Sequence, residues 1–266
     1  MSDPIAPLIE SLHAQGRLRV WSLVITAFGD LVQHRGGAMS SARLGRLLGR
    51  VGIEQGTMRT AMSRLGQDGW VSSERRGRSS LYRLSDEGLA KFAPATTRIY
   101  APPRREPVTD WALSVSLSSG APEIILTPAE EPGGDADLRL TGRIDVLSDA
   151  YRAALLSDSH RAALEGLARD LKALHSVPIT APLDAAAARM LLIHRWRRIV
   201  LRYPQFPAEL MPADSPLADP RQAVADAYGR IAPLAEVWLG SADGDLEAMP
   251  EAADRFALRF GGAQRA

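Results

Sequence analysis

Cysteine is absent from this 266-residue chain. Its absence excludes disulfides, thiolate metal ligands and cysteine nucleophiles, and it suits a reducing compartment. Long apolar runs are missing too: stretches such as Leu23-Val24-Ile25 and Ile124-Ile125-Leu126 are far too short to span a bilayer. The opening Met-Ser-Asp-Pro lacks the basic and apolar regions of a secretory leader, so a cytoplasmic protein is expected. The five histidines (13, 34, 160, 175 and 194) are scattered without HExxH or paired spacing, which argues against a metal site. No glycine-rich phosphate loop or nucleophile elbow is present, and the acidic cluster Glu130-Glu131, Asp135 and Asp137 lies in a Gly/Pro-rich turn. An enzyme is not expected, and no cofactor is implied.

What is present is an uneven distribution of charge. The formal net charge is only +1, yet residues 17–83 hold twelve arginines against four acids, Asp30, Glu54, Asp68 and Glu74. The remainder of the chain is net acidic. A basic block on an acidic protein is the electrostatic footprint of polyanion binding.

Residues 1–16 read as a loosely helical leader. From 17 to 34, Leu18, Trp21, Val24, Ile25, Phe28, Leu31 and Val32 recur at helical spacing up to the Arg35-Gly36-Gly37 stop. A second helix begins at Ser40 or Ser41 and carries Leu44, Leu47 and Leu48; a third runs over 54–67 and ends at Asp68-Gly69. The period then falls to two in 70–73 and 81–84, two short strands joined by a turn containing Gly77. Ser85 caps a further helix through Phe92. This order of three helices and a hairpin predicts a winged helix-turn-helix over 17–93. A proline-rich linker over 94–107 follows, then strands at 111–117, 123–126 and 138–146 in a middle β domain over 108–147. Ala- and Leu-rich helices at 149–175, 182–202, 217–239 and 245–258 make up a helical domain over 148–260. The predicted fold class is α+β.

In the third helix Met58, Ala61, Met62 and Leu65 must face the core, which turns Gln55, Arg59, Thr60, Ser63, Arg64 and Gln67 outward. Arg donates two hydrogen bonds to guanine, Gln pairs with adenine, and Ser or Thr serves bases or phosphates. Gln55, Arg59, Thr60 and Ser63 are therefore the expected base contacts, with Arg64 reaching a phosphate. Arg75, Arg76 and Arg78 at the hairpin tip suit phosphates or the narrow minor groove. Arg43, Arg46 and Arg50 are expected to add backbone contacts.

Several of these stretches resemble the PaaX family, repressors of phenylacetic acid degradation operons. The resemblance is carried by Phe28-Gly29-Asp30, Arg35-Gly36-Gly37, the run Met58 to Leu65, Asp68-Gly69-Trp70-Val71 and the run Gly77 to Ser85. In the C-terminal half it is carried by the run His194 to Arg202, Pro204, Pro207-Ala208-Glu209-Leu210 and Pro212-Ala213-Asp214. It implies a homodimeric repressor on double-stranded operator DNA, released by a CoA-thioester effector such as phenylacetyl-CoA, with the helical domain over 148–260 as the effector and dimerisation domain. It also implies a ferredoxin-like (Cas2-like) middle domain with a helix between its first two strands. Here only Ser118 to Pro122 separates Leu117 from Glu123, so the middle sheet is expected in a reduced form without that helix.

Within the run His194 to Arg202, two readings stay open. Arg195, Arg197 and Arg198 suit the phosphates of a CoA effector, with Trp196 stacking on adenine. The same residues suit core packing and a helix C-terminus. Two further alternatives are a winged-helix regulator with another inducer and a winged-helix adaptor that binds protein.

Overall fold

The computed structural model describes residues 3–14, 16, 18–76, 79–117, 120–244 and 246–262. The N-terminal stretch read as a loosely helical leader holds an anchored helix, α1 (Ala6–His13), with Ile5, Leu8 and Leu12 buried. Helix α2 (Val20–Ala27) runs directly into a π-helical turn, Phe28–Val32, where the Gln33 amide reaches back to the Phe28 carbonyl at 3.0 Å. Gly36 and Gly37 follow with φ of +78° and +72°, a left-handed pair that only glycine adopts cheaply.

They deliver the chain into β1 (Ala38–Ser40) and α3 (Ser41–Arg50), whose N-cap Ser40 accepts from the Arg43 amide. A short turn then leads into α4 (Gln55–Gln67). Strands β2 (Val71–Arg76) and β3 (Ser79–Leu84) pair antiparallel, and β1 adds to β3 to give the order β1-β3-β2. Helix α5 (Asp86–Ile99), capped by Ser85, extends past the expected end at Phe92, so the first six residues of the expected linker are helical.

The middle sheet consists of β4 (Trp111–Ser116), β5 (Glu123–Pro128) and β6 (Leu138–Gly142), all antiparallel in the order β5-β4-β6. Ser116 opposes Glu123, so β4 and β5 pair antiparallel up to the short connection between them. The C-terminal half holds α6 (Asp149–Leu155), α7 (Asp158–Ser176), α8 (Pro182–Val200) and α9 (Pro220–Gly240). Ser157 caps α7 and breaks what periodicity read as one helix over 149–175. The helix expected over 245–258 is instead a short 3₁₀ segment, Asp254–Gly261.

Helix α8 is buried nearly all round through Ala185 to Ile193, Trp196 and Val200. A helix apolar on every side must run through a core rather than along a surface. It touches α1, α2, α3, α5, α7 and α9, so the N-terminal elements and the C-terminal helices share one hydrophobic core.

Fully buried Asp30, in the π-helical turn, fastens this junction. It accepts from Arg189 Nε at 2.8 Å, Arg259 Nη1 at 3.0 Å and the Tyr100 and Tyr228 hydroxyls at 2.7 and 3.1 Å. Glu236 on α9 holds the other side, accepting from Arg189, Arg35 and His34 at 2.5, 2.5 and 2.9 Å. Gly29 is required here: a Cβ would stand 2.0 Å from the Phe92 ring.

Candidate nucleic-acid interface

Helix α4 buries Met58, Ala61, Met62 and Leu65. Gln55, Arg59, Thr60, Ser63, Arg64 and Gln67 lie exposed on its opposite side. The Thr60 hydroxyl donates to the Gly56 carbonyl at 3.1 Å, which fixes its rotamer and leaves the oxygen able to accept. Arg64 lies 3.6 Å from Asp68 one turn on, and both are exposed, so the pair is weak and easily exchanged for another anion.

The start of β2 is tied closely to the helices on either side. Gly69 takes φ +71° after the α4 C-cap, and the Ser85 hydroxyl donates to its carbonyl. A Cβ at Gly88 would stand 2.3 Å from the Trp70 carbonyl oxygen, so the start of α5 is seated directly on this joint. From it β2 runs outward, exposed from Ser72 on, and ends at Arg75 and Arg76 opposite Ser80 and Ser79. Arg78 lies outside the described residues. Arg59, Arg64, Arg75 and Arg76 are thus exposed on two consecutive elements braced by one core.

Three arginines expected beside this surface serve elsewhere. Arg43 is fully buried, donating to the Trp238, Ser241 and Glu247 carbonyls and lying 4.8 Å over the Trp238 ring. It satisfies carbonyls at the end of α9 that the helix itself leaves unpaired. Arg46 pairs with Asp243, and Arg50 bridges Asp3 and Asp184. All three join α3 to distant segments of the chain rather than extending the α4 surface.

Of the four α8 residues left open between effector contact and packing, the structure packs two, Trp196 and Arg197, inward. Trp196 is fully buried and donates its indole N–H to the Ile99 carbonyl at 2.9 Å, which leaves no face for an adenine ring. Arg197 turns inward to the Thr26 hydroxyl at 3.2 Å and the Ser22 carbonyl at 3.4 Å. Both are packing residues between α8 and its neighbours. Arg195 and Arg198 face the other way, toward α1 and α7; Arg195 ion-pairs with Asp170 and donates to Ser11 at 2.6 Å.

Burial strips two histidines of their charge. His34 is pushed down to about 4 by lost hydration, against the pull of its hydrogen bond to Glu236. His194 is pushed down to about 3 by burial and the neighbouring Arg197, Arg198 and Arg195. Burial alone would raise Glu236, but the hydrogen bond from His34 and the charge of Arg189 hold it well below the ordinary carboxylate range. Among the described residues no cluster of three or more histidines and acids is placed to hold a metal ion, and no helix is long and apolar enough to cross a membrane.

The residues missed from the sequence are those of the Asp30 junction. One signal for them was available: Asp30 stands alone among Phe28, Leu31 and Val32, and Arg189 stands alone among Ala185 to Ile193. A single charge inside an apolar helical run needs a buried partner of the opposite sign.

Residues 19–88 match the family described as PaaX-like protein, and residues 149–241 match the PaaX-like protein C-terminal domain. The chain is 28% identical over 287 aligned positions to the transcriptional repressor PaaX of Escherichia coli, covering 91% of this chain and 90% of that protein. Among solved structures, an uncharacterised protein of Mycobacterium tuberculosis aligns with a TM-score of 0.47 and 23% identity, over 80% of this chain and 95% of that one. The chain belongs to the PaaX family, a family of transcriptional repressors rather than of enzymes.

Proposed function

We propose that this protein is a DNA-binding transcriptional repressor whose operator is read by a winged helix-turn-helix made of α2 to α5 and the β2–β3 hairpin. Helix α4 enters the major groove, with Gln55, Arg59, Thr60 and Ser63 on base edges and Arg64 on a phosphate. The hairpin is the wing, and Arg75, Arg76 and Arg78 lie along the backbone or minor groove. The observation that carries this reading is the outer face of α4: six polar or basic side chains exposed together, on a helix whose other side is locked into the core.

The protein acts as a homodimer, and the middle sheet supplies the contact. On one face of that sheet Leu113 lies between Leu126 and Leu140, and Val115 lies between Ile124 and Leu138. Ile124, Leu138 and Leu140 are 63%, 51% and 56% exposed. An aliphatic grid of this kind is costly to leave in water, and a second copy of the same grid covers it by two-fold symmetry.

The relative from Escherichia coli is named a transcriptional repressor. The family resemblance supplies the effector class, an aryl-CoA thioester of the phenylacetyl type. Mobility shift on the DNA flanking the gene, with and without phenylacetyl-CoA, tests the whole reading. A retarded complex that weakens with added salt and dissolves with the thioester is expected. Binding with no response to any acyl- or aryl-CoA removes the effector and leaves the DNA contact standing. Failure to bind any duplex at low salt removes both.

A further inference from the structure

A second basic surface lies away from α4, in a groove of about 640 Å³ between α1, α7 and α8. Arg195, Arg198 and Arg202 follow one another at helical spacing along α8 and just beyond it, and Arg169 faces them from α7. The groove is open because its floor is small: Ala162, Ala163 and Gly166 line it. At Gly166 a Cβ would stand 2.8 Å from Arg195 Nη1, so any larger residue would push that guanidinium aside. Arg198 and Arg202 also line an adjoining groove of about 420 Å³ with Arg19.

Positive charge is in surplus here. Asp170 is taken by Arg195, and among the described residues Glu10 is the one other carboxylate lining either groove. Among the described residues no carboxylate ion-pairs with Arg19, Arg169 or Arg202. The crowding is felt by Arg198, whose pKa is lowered by burial and then by the charges of Arg195, Arg202 and Arg19. Arg202 is braced over the Tyr203 ring at 5.3 Å, which reduces the entropy lost when it engages a ligand.

The proline-lined cavity between residues 101–107 and 204–209 differs in this respect. There Arg104 is paired with Glu130 and Glu131, and Arg221 donates to the Arg98 and Ala101 carbonyls. It has no comparable surplus.

We propose that the α1–α7–α8 groove binds the phosphate groups of a small ligand, with Arg198, Arg202 and Arg169 as contacts and Arg195 held in position by Asp170 and Ser11. A single carboxylate would leave most of this charge unmatched, whereas a diphosphate offers several acceptor oxygens to guanidinium forks. The site stands on its own geometry; only the identity of the ligand as an effector rests on the function proposed above. Arg19 and Trp21 line the adjoining groove and also a cavity shared with Thr60 and Arg64 of α4. Arg19 and Trp21 thus stand between the adjoining groove and the helix proposed to read DNA.

Titration calorimetry on the full chain tests the site, with inorganic pyrophosphate and coenzyme A as probes. The variants are Arg198→Ala/Arg202→Ala and, as a control in the proline-lined cavity, Arg105→Ala. Both altered arginines of the double variant are exposed, so an unchanged thermal midpoint is expected and shows that the fold is intact. Binding of either probe to the wild type, weakened about tenfold or more in the double variant and unchanged in the control, supports the site; that is the scale of a lost charge-assisted hydrogen bond. No binding of either probe, or equal binding by the double variant, overturns it. A double variant that binds coenzyme A normally but loses affinity for duplex DNA also overturns it, since the groove would then serve the DNA backbone. Coenzyme A binding that leaves DNA affinity unchanged counts against the effector reading alone.

Discussion

Asp30 receives two guanidinium groups and two phenol hydroxyls in a place water does not reach. Removing its charge takes from Arg259 its one carboxylate partner among the described residues and leaves Arg189 only Glu236, which Arg35 already shares. Asp30→Asn is therefore expected to lower unfolding stability by roughly 3–5 kcal/mol, measured by urea denaturation at pH 7. A loss below about 1 kcal/mol would show that the junction is not held by this charge. The buried histidines add a pH dependence. Their folded pKa values, about 4 for His34 and about 3 for His194, lie below the ordinary 6.5. As pH falls through 6.5, unfolded rings take up protons that the folded ones refuse, so stability is full above that pH and lost below it. Each ring contributes a loss on the order of 2 kcal/mol by pH 5, and Glu236 adds its own below about pH 4.5. A denaturation midpoint unchanged between pH 7 and pH 5 would contradict this assignment.

At the scale of elements, the middle sheet makes the most direct prediction. Leu140, on the edge strand β6, stands beside Leu113 in the exposed aliphatic grid and is itself 56% exposed. Leu140→Asp should convert the dimer to a monomer in sedimentation while leaving the thermal midpoint nearly unchanged. A wild type that is already monomeric, or a variant that stays dimeric, rules this face out as the contact.

Periodicity and caps made the main elements readable. The switch from a 3.6-residue to a two-residue period after Gly69 marked the hairpin, and Ser40 and Ser85 marked helix starts that the structure also has. Strand β1 is only three residues long and offers no alternation to read. The end of α5 was set too early because Pro94 lies inside the helix rather than at its end. Of the candidate site, the outward face of α4 followed from its apolar side alone. The fates of Arg43, Trp196 and Arg197 did not, because their partners lie between 97 and 204 residues away along the chain.

For the whole molecule, the consequence is that the proposed DNA-reading elements are not an appended head. They share a core with α8, and Arg35, Arg43 and Asp30 bind them to α8, α9 and the C-terminal segment. A change at the C-terminal helices therefore meets α2 and α3 without crossing a flexible hinge. Coupling of this kind acts through the difference in ligand affinity between the free and DNA-bound states.

In the proposed repressor α4 reads sequence while the wing supplies affinity. Selection of bound duplexes from a random pool, with wild type, Arg59→Ala and Arg76→Ala in parallel, tests it most directly. The wild type should enrich one sequence built of two symmetric halves. Arg59→Ala should relax the preference at one base position in each half, at a cost of about 1–3 kcal/mol. Arg76→Ala should enrich the unaltered sequence with weaker affinity and a shallower salt dependence. If Arg59→Ala enriched the same sequence with the same affinity as the wild type, α4 would not be the element that reads DNA.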